Sequence, residues 1–437
     1  MLPEIITAVP GPESRELASR LKEVESRNVT YVSHNFPVFW KKSQGANVWD
    51  VDGNCFLDWT SGFGVATAGF NPDWLVEVIQ GQSRELFHAM GDVHPSAQKA
   101  ELCSLLSQVT FERWNAGQGK VLLGNSGFEA VEAALKTAYL ATGKPGIIAF
   151  ENSYHGLGYG AVTVTGRNEF RRPFQSQLAD ITQFVPFPQA GLKLEGQWRT
   201  ELSQRILKMI REQEIGAILV EPIQGRAGEI FPPEGFLQCL RTICDECDVL
   251  LILDEIYTGF WRTDYCFACE AEKVVPDIIC LGKAMSGGYP ISACIAKSHV
   301  MDSWPESTGE ALHTSTFLGN PLGCAMSVAS VKHWMKDSIQ HEVKLCGKRL
   351  SEALETLKQV DGIVEVRGRG LLWGIELGDK NGQSPGQRVA GIIEQGLKEG
   401  AILLGGGVTG ETISLTPSIS MNLEELDWTM KLLKSLL

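Results

Sequence analysis

The feature that most constrains the fold of this chain is a series of short apolar runs separated by stretches with helical periodicity. Between residues 72 and 325 the chain alternates between the two patterns, which is typical of a mostly parallel sheet with helices on both faces. Runs of this length favour buried strands over helices. The predicted strands are Lys120–Leu123, Ile147–Phe150, Ala217–Glu221, Val249–Asp254, Ile278–Leu281 and Ile291–Ala296.

The sequence outside this alternating region predicts a second, smaller domain. Residues 1–71 read as an N-terminal arm followed by a hairpin, in which Val48–Asp58 alternates about an Asp-Gly-Asn turn. Residues 326–437 alternate between helix and strand patterns. We therefore expect a large α/β domain over residues 72–325, and a small α+β domain formed by residues 326–437 with the hairpin segment of residues 1–71.

Charge and cysteine content restrict the partners and the compartment. The net charge of −13 over 437 residues argues against nucleic acid and anionic membranes, because neither attracts an acidic protein. The longest aliphatic run, Val249–Leu253, is too short to span a bilayer, and no signal peptide is visible at the N-terminus. Eleven scattered cysteines, an odd number, favour reduced thiols and a cytoplasmic protein.

One cysteine pattern fits a zinc site by spacing alone. Cys244 and Cys247 precede Cys266 and Cys269 at a separation that four-cysteine sites use. However, the segment between the two pairs contains the Val249–Asp254 strand, which a zinc ribbon would not place inside an α/β core. We therefore expect ordinary thiols and no metal.

The most informative residue for chemistry is Lys283, which follows the apolar run Ile278–Leu281 and precedes a glycine-rich turn. An apolar approach lowers the pKa of an ammonium group by desolvation, and a neutral amine is the form that makes a Schiff base. Asp254 ends another apolar run upstream. A lysine for the aldehyde carbon and a carboxylate for the pyridine nitrogen are the two groups that pyridoxal phosphate (PLP) requires.

Several further motifs stand in a fixed order around this pair. They are Ser126-Gly127-Phe128-Glu129-Ala130, Tyr154-His155-Gly156, Glu221-Pro222-Ile223-Gln224-Gly225 and Thr316-Phe317-Leu318-Gly319-Asn320-Pro321. In this order and with these residues, the chain resembles the class III aminotransferases, a branch of the fold-type I PLP enzymes, from about Val48 to the C-terminus. The resemblance implies a large domain with a mostly parallel sheet flanked by helices, and a smaller α+β domain.

The resemblance also implies which residues hold PLP. Ser126, Gly127 and Phe128 would form the phosphate cup at a helix N-terminus, where the helix dipole favours an anion. The alternative for Ser126 is ordinary helix capping with Glu129. Tyr154 would stack on the pyridine ring, and His155 would support the cofactor from below.

Further cofactor contacts implied by the family follow the next strands. Glu221, Gln224 and Tyr257 would lie near the phenolic oxygen of PLP, and Ile256 would pack on the second face of its ring. Thr316 would bind the phosphate from the neighbouring subunit, which implies an obligate homodimer with shared active sites.

The chain departs from the family at the substrate side. Amino-acid-using members often carry a glutamate after the Glu-Pro-x-Gln-Gly motif and an arginine in a C-terminal strand. Here Arg226 occupies the glutamate position, and the strand Thr412–Ser418 has no arginine. Arg226 is either a replacement carboxylate ligand or the partner of Glu229 in a salt bridge. Trp59 and Phe63 lie where the family lines its substrate channel, although aromatic residues there are equally compatible with a core.

We therefore expect a PLP-dependent aminotransferase that moves an amino group from an amine or omega-amino acid to an oxo acid by a ping-pong mechanism. Lys283 would hold PLP and move the proton at the substrate α-carbon. The alternatives are an aminomutase or PLP-dependent lyase of the same fold, and a non-catalytic PLP-binding module. A hydrolase is not expected, because the chain lacks a Gly-x-Ser-x-Gly elbow.

Overall fold

The computed structural model of the protein describes residues 1–191 and 196–437. These residues divide into two compact units. The larger unit consists of Trp74–Gln340, and the smaller one of Met1–Asp73 together with His341–Leu437. The domain limits expected from the sequence stay a prediction.

The strands, in chain order, are β1 (Trp40–Gln44), β2 (Asn47–Asp50), β3 (Cys55–Asp58), β4 (Gly119–Gly124), β5 (Gly146–Phe150), β6 (Thr182–Val185), β7 (Ile215–Val220), β8 (Leu250–Asp254), β9 (Ile278–Leu281), β10 (Ser292–Lys297), β11 (Ile363–Arg369), β12 (Leu372–Leu377), β13 (Ala401–Ile402), β14 (Leu404–Gly406) and β15 (Thr412–Leu415). The helices are α1 (Pro12–Val24), α2 (Ser61–Gly64, a single turn), α3 (Asp73–Glu85), α4 (Ala97–Ser107), α5 (Gly127–Thr142), α6 (Tyr159–Val164), α7 (Asn168–Arg171), α8 (Gln197–Glu212), α9 (Phe236–Cys247), α10 (Ser298–Met301), α11 (Pro321–Trp334), α12 (Asp337–Glu355), α13 (Pro385–Glu399) and α14 (Leu423–Leu436).

The larger unit is built on a seven-stranded sheet in the order β4-β10-β9-β8-β7-β5-β6. Strands β6, β5, β7, β8 and β9 are parallel, whereas β10 is antiparallel to both β9 and β4. The predicted α/β fold with a mostly parallel sheet is confirmed. The sequence analysis missed β6, a short strand at the edge of the sheet whose side chains are mostly half-buried.

The core of the larger unit is formed by buried side chains of the central strands and of helix α5. Every residue of β7 is buried, as expected for a central strand whose two faces are both covered by helices. Helix α5 packs against the sheet through small side chains, which let the helix backbone approach the strands closely. The buried alanines on this face are Ala130, Ala133, Ala134 and Ala138.

The smaller unit contains two four-stranded sheets. The first has the order β1-β2-β3-β13 and includes the predicted hairpin, in which Val48 pairs with Phe56 and Trp49 with Cys55. The second, β11-β12-β15-β14, is antiparallel throughout. Helices α13 and α14 both begin with capping boxes, at Ser384 and Asn422, which fix where these helices start.

Among the described residues, no helix has both the length and the apolar character needed to cross a bilayer.

Candidate active site

The predicted site residues of the larger unit emerge from one edge of its sheet. Strands β5, β7, β8 and β9 are parallel, so their carboxyl ends lie at the same edge. Strand β4 runs in the same direction, because it and β9 are both antiparallel to β10. The segments that follow these five strands carry most of the predicted cofactor residues, which is the usual place for a ligand in an open α/β sheet.

Lys283 lies two residues after β9 and opens a short 3₁₀ turn. Its φ of +44° is in the left-handed region, which a non-glycine residue rarely adopts and which often marks a functional position. Burial lowers the pKa of its ammonium group, while the charges of Asp254 and Glu221 oppose this shift. The lowered pKa favours the neutral, nucleophilic amine.

Asp254 and His155 form a buried pair at the centre of this edge. The Nδ1 atom of His155 lies 2.8 Å from Oδ2 of Asp254, and the two residues are 2% and 5% exposed. The other carboxylate oxygen accepts the backbone N–H of Ile256 at 3.2 Å. The Nε2 atom of His155 is buried and has no hydrogen-bond partner in the structure. The pair therefore holds one carboxylate in a fixed orientation in a site shielded from water.

Glu221 joins two turns of the site through its buried carboxylate. Its Oε1 accepts the backbone N–H of Tyr154 at 2.8 Å, and its Oε2 accepts that of Gly225 at 3.2 Å. Burial raises the pKa of Glu221 to about 7, with the negative charge of Asp254 adding to the effect and His155 opposing it. Glu221 therefore fixes the backbone of both turns.

Gln224 and Tyr257 complete the part of the site near Glu221. The Nε2 of Gln224 donates to the carbonyl of Glu151 at 2.9 Å, and its backbone pairs with Ile230 in both directions. The ring centroid of Tyr257 lies 5.1 Å from Nζ of Lys283. Tyr257 is thus next to the reactive amine.

The N-terminus of α5 carries a serine hydroxyl that does not cap the helix. Ser126 occupies the N-cap but makes no capping hydrogen bond, and its buried Oγ has no partner in the structure. The carboxylate of Glu129 instead binds the backbone N–H of Asn125. At Gly127 an added Cβ would lie 3.2 Å from Ile256, so the small residue lets these segments approach. An orphaned hydroxyl beside a helix N-terminus fits a phosphate group.

Phe128 supports the same turn from the side. The Cβ that any larger residue would add at Gly156 or Gly158 would lie within 2.5 Å of Phe128 atoms. The glycine after His155 is therefore required for the chain to pass over this ring. Phe128 packs against the loop that carries Tyr154.

Arg226 is exposed, and its guanidinium lies on an aromatic surface. Its Cζ is 4.5 Å from the ring centroid of Tyr154 and 5.9 Å from that of Phe170. The two rings meet edge to face at 5.6 Å. Across the part of the chain that the structure describes, Arg226 forms no ion pair with Glu229. The Arg226 guanidinium is instead held against the two rings by cation–π contacts.

Arg167 is a residue of this region that the sequence analysis did not single out. Its Nη1 donates to the backbone carbonyl of Arg226 at 2.6 Å, and its Nε donates to Glu169 at 2.6 Å. No motif marks it, because the contact is made to a backbone atom distant in sequence. Only the tertiary structure reveals it.

Thr316 lies in an exposed segment of the larger unit, and the structure does not bring its side chain to the other cofactor residues of the same chain. The Oγ of the neighbouring Ser315 accepts from the side-chain amide of Asn125, the residue before Ser126, at 3.3 Å. The predicted contribution of Thr316 across a subunit boundary stays a prediction.

Trp59 and Phe63 belong to the smaller unit and differ in exposure. Trp59 is fully buried and donates its indole N–H to Thr429 at 2.9 Å, which is a core position. Phe63 is 58% exposed at the tip of the left-handed turn Ser61–Gly64. Their assignment to a substrate channel stays a prediction.

The cysteines of the pattern weighed for zinc are thiols with different degrees of burial. Cys244, Cys266 and Cys269 are buried, and burial raises the pKa of each thiol. Within residues 1–191 and 196–437, no cluster of three or more side chains is arranged to hold a metal ion.

Comparison with known proteins agrees with this geometry. A model of the class III aminotransferase family matches residues 29–437. The acetylornithine aminotransferase of Methanopyrus kandleri is 37% identical over 345 residues, covering 79% of this chain and 82% of that protein. The 4-aminobutyrate aminotransferase of Mycobacterium leprae is 30% identical over 445 residues, covering 99% of this chain and 98% of that protein.

Solved structures share the fold. A PLP-bound amine transaminase from an uncultivated Pseudomonas species superimposes with a TM-score of 0.84 at 24% identity, over 94% of this chain and 98% of that one. The ornithine aminotransferase of Toxoplasma gondii ME49 gives a TM-score of 0.82 at 26% identity, over 97% of this chain and 94% of that one.

Proposed function

Because this chain belongs to the class III aminotransferase family and is a PLP-dependent transaminase, we propose that Lys283 is its catalytic lysine and that Arg226 binds the carboxylate of its oxo-acid acceptor. The observation that supports the role of Lys283 is its place at the buried edge of the sheet. There burial lowers the pKa of Lys283, and the charge of Asp254, which is hydrogen-bonded to His155, acts on it.

The residues fit the cofactor in distinct roles. Ser126, with the backbone of Gly127 and Phe128, would hold the phosphate at the start of α5. Tyr154 and Ile256 would cover the two faces of the ring. The phenolic oxygen would lie near a set of polar side chains from two neighbouring loops, Glu221, Gln224 and Tyr257.

When bound, PLP supplies an aldehyde and a protonated pyridine ring that withdraws electrons from the α-carbon of the substrate. Asp254 would keep the pyridine nitrogen of bound PLP protonated, and His155 holds the Asp254 carboxylate in place. The Nζ of Lys283 removes the proton from the substrate α-carbon and returns one in the opposite half-reaction. Burial lowers the pKa of this amine, which favours the unprotonated form that can accept the proton.

The substrates are proposed from the site and from the relatives together. The relatives named above act on acetylornithine and 4-aminobutyrate, so an amine or omega-amino acid is the proposed donor. A ping-pong mechanism also requires an oxo acid to bind in the same site. Arg226 is an exposed cation beside Tyr154, and a guanidinium can bind a carboxylate through two parallel hydrogen bonds.

The test of this proposal is a screen of amines and amino acids against pyruvate and 2-oxoglutarate, followed by kinetics of Arg226→Ala. Losing a charged hydrogen bond costs about 2 kcal/mol, so KM for the oxo acid should rise roughly thirtyfold, far more than KM for a simple amine. Equal effects on both half-reactions would contradict the role of Arg226 as the carboxylate ligand.

A homodimer is also part of the proposal. Two segments of the larger unit, residues 86–93 and 312–317, carry large apolar side chains that are exposed in the single chain, namely Leu86, Phe87, Met90, Val93, Leu312 and Phe317. They are joined by a hydrogen bond of 2.7 Å from Thr314 to Asp92 and by the contact of His88 with Phe317. A second copy of the chain covering this surface would place Thr316 at the subunit boundary.

Sedimentation of the parent protein and of Phe317→Glu tests the dimer. Placing a charge in a buried apolar interface should yield monomers, whereas Leu423→Glu, at an exposed apolar residue of α14, serves as the control. A monomeric parent protein would contradict the proposal.

A cytoplasmic location is supported only by the eleven free thiols, and thiol titration of protein from oxidising and reducing compartments tests it.

A further inference from the structure

Arg226 projects from a compact turn that leaves its backbone little freedom. Gln224 and Ile230 pair in both directions at the base of the turn, at 3.1 and 2.9 Å. Inside it, the carbonyl of Gly225 accepts from Gly228 at 2.9 Å and from Glu229 at 3.0 Å. The turn is therefore closed by its own hydrogen bonds, and its orientation depends on contacts with neighbouring segments.

Two such contacts hold the turn at two consecutive residues. Glu221 accepts the N–H of Gly225 at 3.2 Å, and Arg167 donates to the carbonyl of Arg226 at 2.6 Å. The Arg167 side chain is only 14% exposed, and Glu169 fixes it at 2.6 Å. The carbonyl of Arg226 is thus held by the Arg167 guanidinium, and this guanidinium is in turn held by Glu169.

The segment that carries Arg167 and Glu169 also supplies an aromatic ring that contacts the Arg226 side chain. Phe170, in α7, lies 6.0 Å from the guanidinium of Arg167 and 5.9 Å from that of Arg226. Burial opposes ionisation of Glu169, but its bond to Arg167 and the charge of Arg226 hold its pKa below the ordinary value. The ion pair of Arg167 with Glu169 therefore lies close enough to Arg226 for the charge of Arg226 to act on Glu169.

We propose that Arg167 is a positioning residue for substrate recognition: by holding the carbonyl of Arg226, it keeps the Arg226 guanidinium on the Tyr154 ring with its outer N–H pair directed to the carboxylate of an oxo acid. This inference rests on the proposed role of Arg226. It assigns specificity to a residue that touches neither the cofactor nor the substrate.

The experiment uses the holoenzyme and the variant Arg167→Met, which keeps an unbranched side chain but removes the guanidinium and its donors. KM for the oxo-acid acceptor should rise on the order of tenfold, while kcat and the reaction with a simple amine stay unchanged, because the charge-assisted hydrogen bond that holds the carbonyl of Arg226 is lost. Calorimetry with glutarate, which has carboxylates but no amine or carbonyl, should show the same weakening of Kd. The matched control is Arg172→Met, an exposed arginine five residues further on.

A double-mutant cycle separates the role of Arg167 from the role of Arg226. In an Arg226→Ala background, Arg167→Met should weaken glutarate binding no further, because Arg167 acts only through Arg226. A further loss in that background would overturn the inference, since Arg167 would then contact the ligand itself. Parent-like glutarate binding by Arg167→Met alone would overturn it as well. If Arg226→Ala has no effect, the proposed function of Arg226 fails instead.

Discussion

Replacing Asp58 by asparagine tests how the smaller unit holds its left-handed turn. Asp58 is 1% exposed, and its carboxylate accepts from the backbone and hydroxyl of Thr60 at 3.1 and 2.7 Å and from the backbone of Gly62 at 3.2 Å. The turn that it anchors includes Ser61 and Phe63, two non-glycine residues with positive φ. Burial raises the pKa of Asp58 to about 6, although these hydrogen bonds oppose the shift.

The pKa shift of Asp58 determines both the direction and the size of its effect on the pH dependence of the unfolding free energy. The folded state prefers the protonated carboxyl, so the stabilisation is fully present below the unfolded pKa of 3.8 and is lost as pH rises through about 6. A shift of roughly two pKa units at 1.36 kcal/mol per unit corresponds to about 3 kcal/mol. At pH 8 the charged Asp58 therefore costs the fold about this much in free energy.

Equilibrium urea denaturation of the parent protein and Asp58→Asn across pH measures this cost. Asparagine does not titrate, so any hydrogen bond it loses is a constant offset, and only the pH-dependent part of the difference reports Asp58. The difference in unfolding free energy should shift by about 3 kcal/mol in favour of asparagine between pH 3.8 and pH 8.

The control is Asp361→Asn in the same unit, the same substitution at a carboxylate that is 93% exposed. A difference for Asp58→Asn that is constant with pH would refute the reasoning. The carboxylate would then be as well solvated or paired in the folded chain as in the unfolded one.

Three further predictions concern the cofactor site. Lys283→Ala should abolish turnover and the covalent PLP adduct that borohydride fixes to the parent protein, and a surviving adduct at another lysine would show that the anchor is misassigned. Asp254→Asn should keep the fold and lose about 3 kcal/mol of transition-state stabilisation, so a kcat near that of the parent would exclude its role. Thr316→Ala should reduce the rise in melting temperature that excess PLP produces, because a ligand that binds only the folded protein stabilises it by mass action; an unchanged rise would remove Thr316 from the phosphate site.

The sequence predicts the framework of the site because each strand and the polar residue after it are local features. Lys283 after β9 and Asp254 at the end of β8 follow apolar runs that read clearly as strands, and parallel strands end at one edge. The family resemblance, confirmed by the comparisons, extends this reading to the fold and the cofactor. Strand β6 escaped prediction because an edge strand needs no continuous apolar run.

What the sequence does not predict depends on contacts between distant segments. The sequence leaves open whether Arg226 pairs with the nearby Glu229, whereas the structure lays it on Tyr154, far away in the chain. Arg167 acts on a backbone carbonyl, which any residue type would offer, so no residue pattern marks it. At Ser126 the local rule predicts a capping hydrogen bond, whereas the hydroxyl makes none in the structure.

The antiparallel strand β10 has a consequence for the order in which the protein is made. It lies between β4 and β9, so β4 has no neighbour in the sheet until β10 is in place. During synthesis, the turn carrying Ser126 leaves the ribosome long before residue 297, and β4 lacks backbone hydrogen bonds to the sheet until then, although α5 after it packs against β7, β8 and β9. The strand that joins β4 to the rest of the sheet by backbone hydrogen bonds is therefore the last strand of that sheet to be made.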